Sequence, residues 1–159
     1  MSDAETPPLT TINHVTNICT DVDRTREFYE EVLGFHTVKR TENYDDPGTK
    51  HYYFSSTPEG EPGTIVTYFE YPNSRGNPGP SASHHFALGV EDEETLREWR
   101  DHLQEQGVRV SQVRDRTYFK SIYLSDPDGL TIELCTEEPG FDVDEDDPGS
   151  EFVDAPDRR

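Results

Sequence analysis

A chain of 159 residues is long enough to bury one real core. Its 34 acidic residues against 14 basic ones leave a formal charge of −20 and a pI near 4.4, a field that argues against nucleic acid or an anionic membrane as partner. Nowhere is the sequence apolar for about 18 residues, and no basic-then-apolar leader opens it, so a soluble, cytoplasmic protein is expected.

Residues 1–9 read as a disordered polar lead-in. TINHVTNIC is a strand, and DVDRTREFYEEVLGF a helix capped at Asp21 or Asp23 and stopped at Gly34, with Phe28, Tyr29, Val32 and Leu33 on its apolar face. Strands FHTVKRT, KHYYFSS and GTIVTYFEY follow, parted by the turn sequences DDPG and PEGEPG. Residues 72–82 form a Pro/Gly-rich linker. Then the order repeats: strand SHHFALGV, a helix from Asp92 to Gly107, and strands VRVSQVR, FKSIYLSD and LTIELCT, with SDPDG as a tight turn. Residues 137–159 carry ten acids and two arginines and read as a loosely held acidic tail. One domain over 10–136 is expected, with modules at 10–71 and 83–136.

The charge has three readings. Seventeen aromatic residues and clear periodicity confine disorder to the ends. An acidic interaction surface is the second. The third, adaptation to a salt-rich cytoplasm, is favoured because acids replace lysines along the whole chain, leaving only Lys39, Lys50 and Lys120. Cys19 and Cys135 are too few for a disulfide framework or a structural zinc site and read as free core thiols.

The two halves align without a gap through the first strand and helix at an offset of 71, which sets His14 on His85, Asp21 on Asp92, Phe28 on Trp99 and Val32 on Leu103. An internal duplication of a βαβββ unit accounts for this. The fold class is α+β: two tandem modules forming a half-open mixed β-barrel with the helices outside. Alternation puts His84, Phe86, Leu88 and Val90 on one face and His85, Ala87 and Gly89 on the other. His85 therefore faces the cleft, and His14 does so from the matching strand. Glu133 stands mid-strand between Ile132 and Leu134, where a lone charge is costly unless paired or bound to metal. Two imidazoles and one carboxylate suit Fe(II) and dioxygen chemistry first, with Mn(II) or another divalent metal next.

INHVTNICTDVDRTREFYEEVLGF, HHFALGVEDEETLREWRDHLQEQGV and SIYLSDPDGLTIEL together resemble the vicinal oxygen chelate superfamily of glyoxalases, antibiotic-resistance proteins and extradiol ring-cleaving dioxygenases. The resemblance covers nearly all of residues 10–136 and implies metal ligands at His14, His85 and Glu133. Glyoxalase I-like members add a carboxylate from the first half, where this chain reads Val66–Thr67. Extradiol members keep a tyrosine ten residues before the glutamate, as Tyr123 is here. TENYDDPGTKHYYF with PGTIVTYFEYP looks like the branch that opens hydroquinones, whose chains usually hold two such domains. In that branch an arginine often precedes the tyrosine by seven, as Arg116 does.

The resemblance thus implies a dioxygenase of catechol- or hydroquinone-like aromatics, its partners an aromatic substrate and dioxygen. Tyr123 would be catalytic and Arg116 would bind substrate. His84 and His51 are candidates for the base, and each reads equally as a strand histidine. A homodimer is expected. A glyoxalase-like isomerase or lyase, and a metal-free resistance-type binding protein, are the alternatives.

Overall fold

A computed structural model describes residues 6–77 and 79–141. Residues 1–5 of the lead-in, Pro78 of the linker and the acidic tail from 142 onward lie outside the described residues. The chain divides into two compact units between Arg75 and Gly76.

The first unit runs β1 (His14–Cys19), α1 (Val22–Glu27), a π-helical turn (Phe28–Val32), β2 (His36–Glu42), β3 (Lys50–Ser55) and β4 (Ile65–Glu70). The second runs β5 (His85–Val90), α2 (Glu93–Glu105), β6 (Arg114–Asp115), β7 (Lys120–Ser125) and β8 (Thr131–Thr136). Each is a four-stranded mixed sheet of the same plan. The strand orders are β1-β4-β3-β2 and β5-β8-β7-β6, with β1 parallel to β4, β5 parallel to β8, and the remaining pairs antiparallel.

The matching pieces are built by matching chemistry. Asp21 caps α1 by accepting from the backbone N–H groups of Asp23 and Arg24, and Asp92 caps α2 by accepting from Thr95. Gly34 and Gly107 end the helical segments at φ +69° and +73°, the left-handed conformation in which glycine alone is unstrained. β1 and β5 share one burial alternation, ending in buried Cys19 and Val90.

The first core is aromatic. Tyr29 stacks on Phe54 at 5.2 Å between centroids and exchanges a 3.0 Å hydrogen bond with Tyr68 OH, all three rings being fully buried. Such ring pairs add about 0.5–1.5 kcal/mol beyond their burial. The second core is aliphatic, built on Leu96, Leu103, Val113, Ile122 and Ile132.

Two elements depart from the sequence expectation. The first helix widens over Phe28–Val32, with Leu33 N–H reaching back five residues to Phe28 O, the spacing of a π-bulge, before Phe35 N–H closes the end around Gly34 on Tyr29 O. The strand expected at VRVSQVR is reduced to Arg114–Asp115. Upstream of it Ser111 takes the bonds a ladder would make. Its N–H donates to Tyr123 O and its hydroxyl accepts from Tyr123 N–H, so a side chain replaces a carbonyl and regular pairing stops. No helix among the described residues is long and apolar enough to cross a membrane.

Candidate active site

In the second unit the inner strand β8 carries Glu133 opposite Tyr123 of β7 and Ala87 of β5. Glu133 is only 3% exposed, and its carboxylate is bonded at both oxygens. Oε1 accepts from Ser121 Oγ and, at 3.0 Å, from Tyr123 OH, while Oε2 lies 2.9 Å from His85 Nε2. A buried carboxylate is stable as an anion only with such donors around it. Tyr123 OH in turn accepts from Arg116 Nε and Nη2, both at 3.3 Å, with the guanidinium 5.6 Å over the phenol ring. Burial, the largest influence, pushes the Tyr123 phenol above its ordinary pKa against the pull of Arg116. The hydroxyl therefore stays protonated at neutral pH and can donate.

His85 Nδ1 faces His84 Nδ1 at 2.8 Å. One of the two nitrogens must carry the proton. The 2.9 Å contact of His85 Nε2 with the Glu133 carboxylate needs a proton on Nε2, so His84 Nδ1 donates to His85 Nδ1; with that proton moved to Nδ1, His85 Nε2 would present a lone pair to a metal. In the first unit His14 Nδ1 lies 2.8 Å from Asn13 Oδ1, an acceptor, which leaves its Nε2 with a lone pair as well. Asn13 and His84 are partners at the offset of 71, so each module orients its exposed histidine through the preceding residue. Fixing the outer nitrogen in this way is how metal-binding imidazoles are set.

The first unit carries a neutral version of the same layout. Thr67 stands opposite Tyr53 and Thr16. His51 is 8% exposed, and its Nε2 lies 2.8 Å from Thr67 Oγ1, which donates onward to Thr16 Oγ1. Since the threonine proton is spent on Thr16, His51 Nε2 must be the donor to Thr67, leaving Nδ1 as the lone pair. Burial first, and the charge His14 can carry second, push the His51 pKa down. Tyr53 packs against both His14, at 6.2 Å, and His51, at 4.3 Å.

The structure thus brings together His84, His85, Arg116, Tyr123 and Glu133 in the second unit, and His14 and His51 around Tyr53 in the first. Within neither unit do three His, Cys, Asp or Glu side chains among the described residues converge as a metal centre would require. The expected ligand set draws one member from the first unit and two from the second. The donors present fit a divalent ion: His85 Nε2 and Glu133 Oε2 are 2.9 Å apart, close to the ~3 Å separation of adjacent ligands each about 2.1 Å from one ion. Two residues had no assigned role from sequence. Asn13 was legible through the repeat. Ser121 becomes visible only once the β7–β8 register sets it on the Glu133 face.

A model of the Glyoxalase/Bleomycin resistance protein/Dioxygenase superfamily matches residues 11–134. The chain belongs to that superfamily. It is 33% identical over 126 residues to the Bacillus subtilis protein named "Putative ring-cleaving dioxygenase MhqE", covering 77% of this chain and 40% of that one. It is 29% identical over 134 residues to a chlorohydroquinone/hydroquinone 1,2-dioxygenase of Sphingobium indicum, covering 80% and 40%. Among solved structures, a "putative dioxygenase from Bacillus subtilis" superposes with a TM-score of 0.71 at 31% identity, over 79% of this chain and 40% of that one. The chain spans about two fifths of the length of these relatives. Relatives with glyoxylase and metallothiol transferase names also match. The two four-stranded sheets are those of the vicinal oxygen chelate fold, and most members of the superfamily are enzymes that use divalent metals.

Proposed function

We propose that this protein is a non-haem Fe(II)-dependent ring-cleaving dioxygenase acting on a catechol- or hydroquinone-like aromatic. The observation that carries the reading is the relay Arg116–Tyr123–Glu133–His85. It joins a phenol donor, held protonated, to a buried carboxylate that shares its other oxygen with an imidazole. The names of the relatives at about 30% identity support the same reaction class.

His14, His85 and Glu133 would hold the metal, which when bound supplies Lewis acidity toward the diol oxygens and a common meeting point for dioxygen. The chain's own residues do the rest. Ser121 and Tyr123 orient the carboxylate through Oε1. The one phenol proton of Tyr123 rests on Glu133 Oε1; turned from the carboxylate to an oxygen of the bound ring or of dioxygen, it would stabilise the negative charge developing there. Arg116 fixes that phenol from behind.

Of the two base candidates, His84 has its Nδ1 turned to His85, whereas His51 retains a lone pair at Nδ1 and is kept neutral by burial. Burial keeps His51 neutral but also weakens it as a base, so both histidines stay candidates for the proton acceptor. Both atoms of dioxygen enter the product as one ring carbon–carbon bond breaks, so no further reductant is required.

The test is dioxygen uptake by the chain reconstituted anaerobically with Fe(II), in molar potassium chloride, against catechols and hydroquinones. Uptake with a ring-opened product is expected. Bound iron with no uptake from any diol would overturn the reading in favour of a glyoxalase-like isomerase on the same scaffold.

A further inference from the structure

We propose that the aromatic substrate carries an anionic substituent and that Arg109 and Arg114 select it. The inference deepens the dioxygenase reading above and rests on it. The second unit contains a cavity of about 560 Å³, in the range of small-molecule sites. One side is formed by Tyr123, Ser125 and Thr131 of β7 and β8, the other by Arg109, Ser111 and Arg114 from the segment between α2 and β7. Val108, Val110 and Leu124 complete it, and none of the lining residues is acidic, in a chain where acids outnumber bases 34 to 14.

Register ties this cavity to the site. Ser125 and Thr131 pair across the ladder two places along from the Tyr123–Glu133 pair. They therefore share the sheet face of the carboxylate, about 7 Å away along the strands. Tyr123 belongs to both: it lines the cavity and its hydroxyl donates to Glu133. A ring lying against Tyr123 would have its hydroxyls toward Glu133 and His85, and a substituent toward the arginines.

Arg116 does not line the cavity; its guanidinium is turned onto the Tyr123 hydroxyl. A bare hydroquinone offers two guanidinium groups no opposite charge to bind. A ring carboxylate offers charge-assisted, bidentate hydrogen bonds, and Ser125 and Thr131 line the same cavity. The chain's net charge repels an anion at long range, so selection must come from such a local positive site.

The test is equilibrium binding to the full chain by calorimetry, with 2,5-dihydroxybenzoate, hydroquinone and benzoate as probes. The dihydroxybenzoate is expected to bind roughly tenfold tighter than hydroquinone, the effect of one charge-assisted contact, and benzoate to compete with it. Arg109→Gln and Arg114→Gln should each remove that preference, and Arg114→Lys should keep part of it. Because Arg109 is exposed, Arg109→Gln keeps the test decisive should Arg114→Gln fail to fold.

Equal affinity for the two diols in the unsubstituted chain, or a preference that survives both Gln variants, would overturn the inference. Cleavage of hydroquinone with no anion preference overturns it while leaving the dioxygenase reading standing. Anion-dependent binding with dioxygen uptake from neither diol supports selection by the arginines and overturns the dioxygenase reading.

Discussion

Thr67 and Glu133 occupy the same place in their two sheets. Each lies on the inner strand two residues past the partner of the exposed histidine, and each stands opposite a tyrosine, Tyr53 or Tyr123. One module therefore presents a hydroxyl where the other presents a carboxylate. The carboxylate is the charged member of the expected ligand set, and its removal is the most direct test. Glu133→Gln keeps the volume and most hydrogen bonds but not the charge. It should lower Fe(II) affinity by at least about 100-fold with little change in melting temperature. Metal content after gel filtration reads this; iron at the unsubstituted stoichiometry would return Glu133 to a structural role.

The Arg116–Tyr123 contact predicts a split between binding and turnover. Tyr123→Phe should retain the metal and lower kcat by roughly 10²–10³-fold, the worth of one donor to a developing oxyanion. Arg116→Gln should reproduce part of that loss and be non-additive with it, because the guanidinium acts through the phenol. Full activity in Tyr123→Phe would make the tyrosine a packing residue.

Orientation of the histidines makes a further prediction. Asn13→Leu and His84→Leu each remove the partner at Nδ1 of the following histidine. Metal affinity should fall by about 10–100-fold in each, which competition with a coloured chelator would measure. Unchanged affinity in both would separate the two imidazoles from metal binding.

His51 gives stability a pH dependence of known sign. Its folded pKa is lowered from 6.5 by burial, then by His14. Below 6.5 the unfolded chain takes up a proton that the folded chain refuses. Its contribution is complete above 6.5 and is lost as pH falls toward the folded value. Urea midpoints compared between about pH 7.5 and pH 5.5 should fall, and His51→Gln should flatten that part of the profile. An identical slope in the variant would assign the dependence to other groups.

The Cys135 thiol is pushed up to about 11 by burial first, then by Glu133 and Glu137. It should be alkylated far more slowly than a free thiol near pH 8, where almost none is thiolate. Rapid, single-site modification in mass spectrometry would contradict that environment.

Much of this was legible beforehand because the fold is written twice. Asp21 with Asp92, Gly34 with Gly107 and the shared alternation of HVTNIC and HFALGV each corroborate the other half. What the letters left open was register. Whether Val66 or Thr67 answers Glu133 turns on one residue, and one residue moves a side chain to the opposite face; the β1–β4 pairing settles it for Thr67. The strand expected at VRVSQVR gave way because the Ser111 hydroxyl can imitate a carbonyl, which hydropathy does not record. Ser121 was silent for the same reason as Thr67: a small hydroxyl gains meaning only from what the ladder sets beside it.

In β3, His51 takes the place that Ser121 takes in β7. A carboxylate in place of Thr67 would favour the charged form of the His51 imidazole, whereas the hydroxyl there leaves burial to favour the neutral form. A duplicated scaffold permits a division of labour: one copy specialises in holding an anion, and the other, freed from it, can keep a neutral proton acceptor.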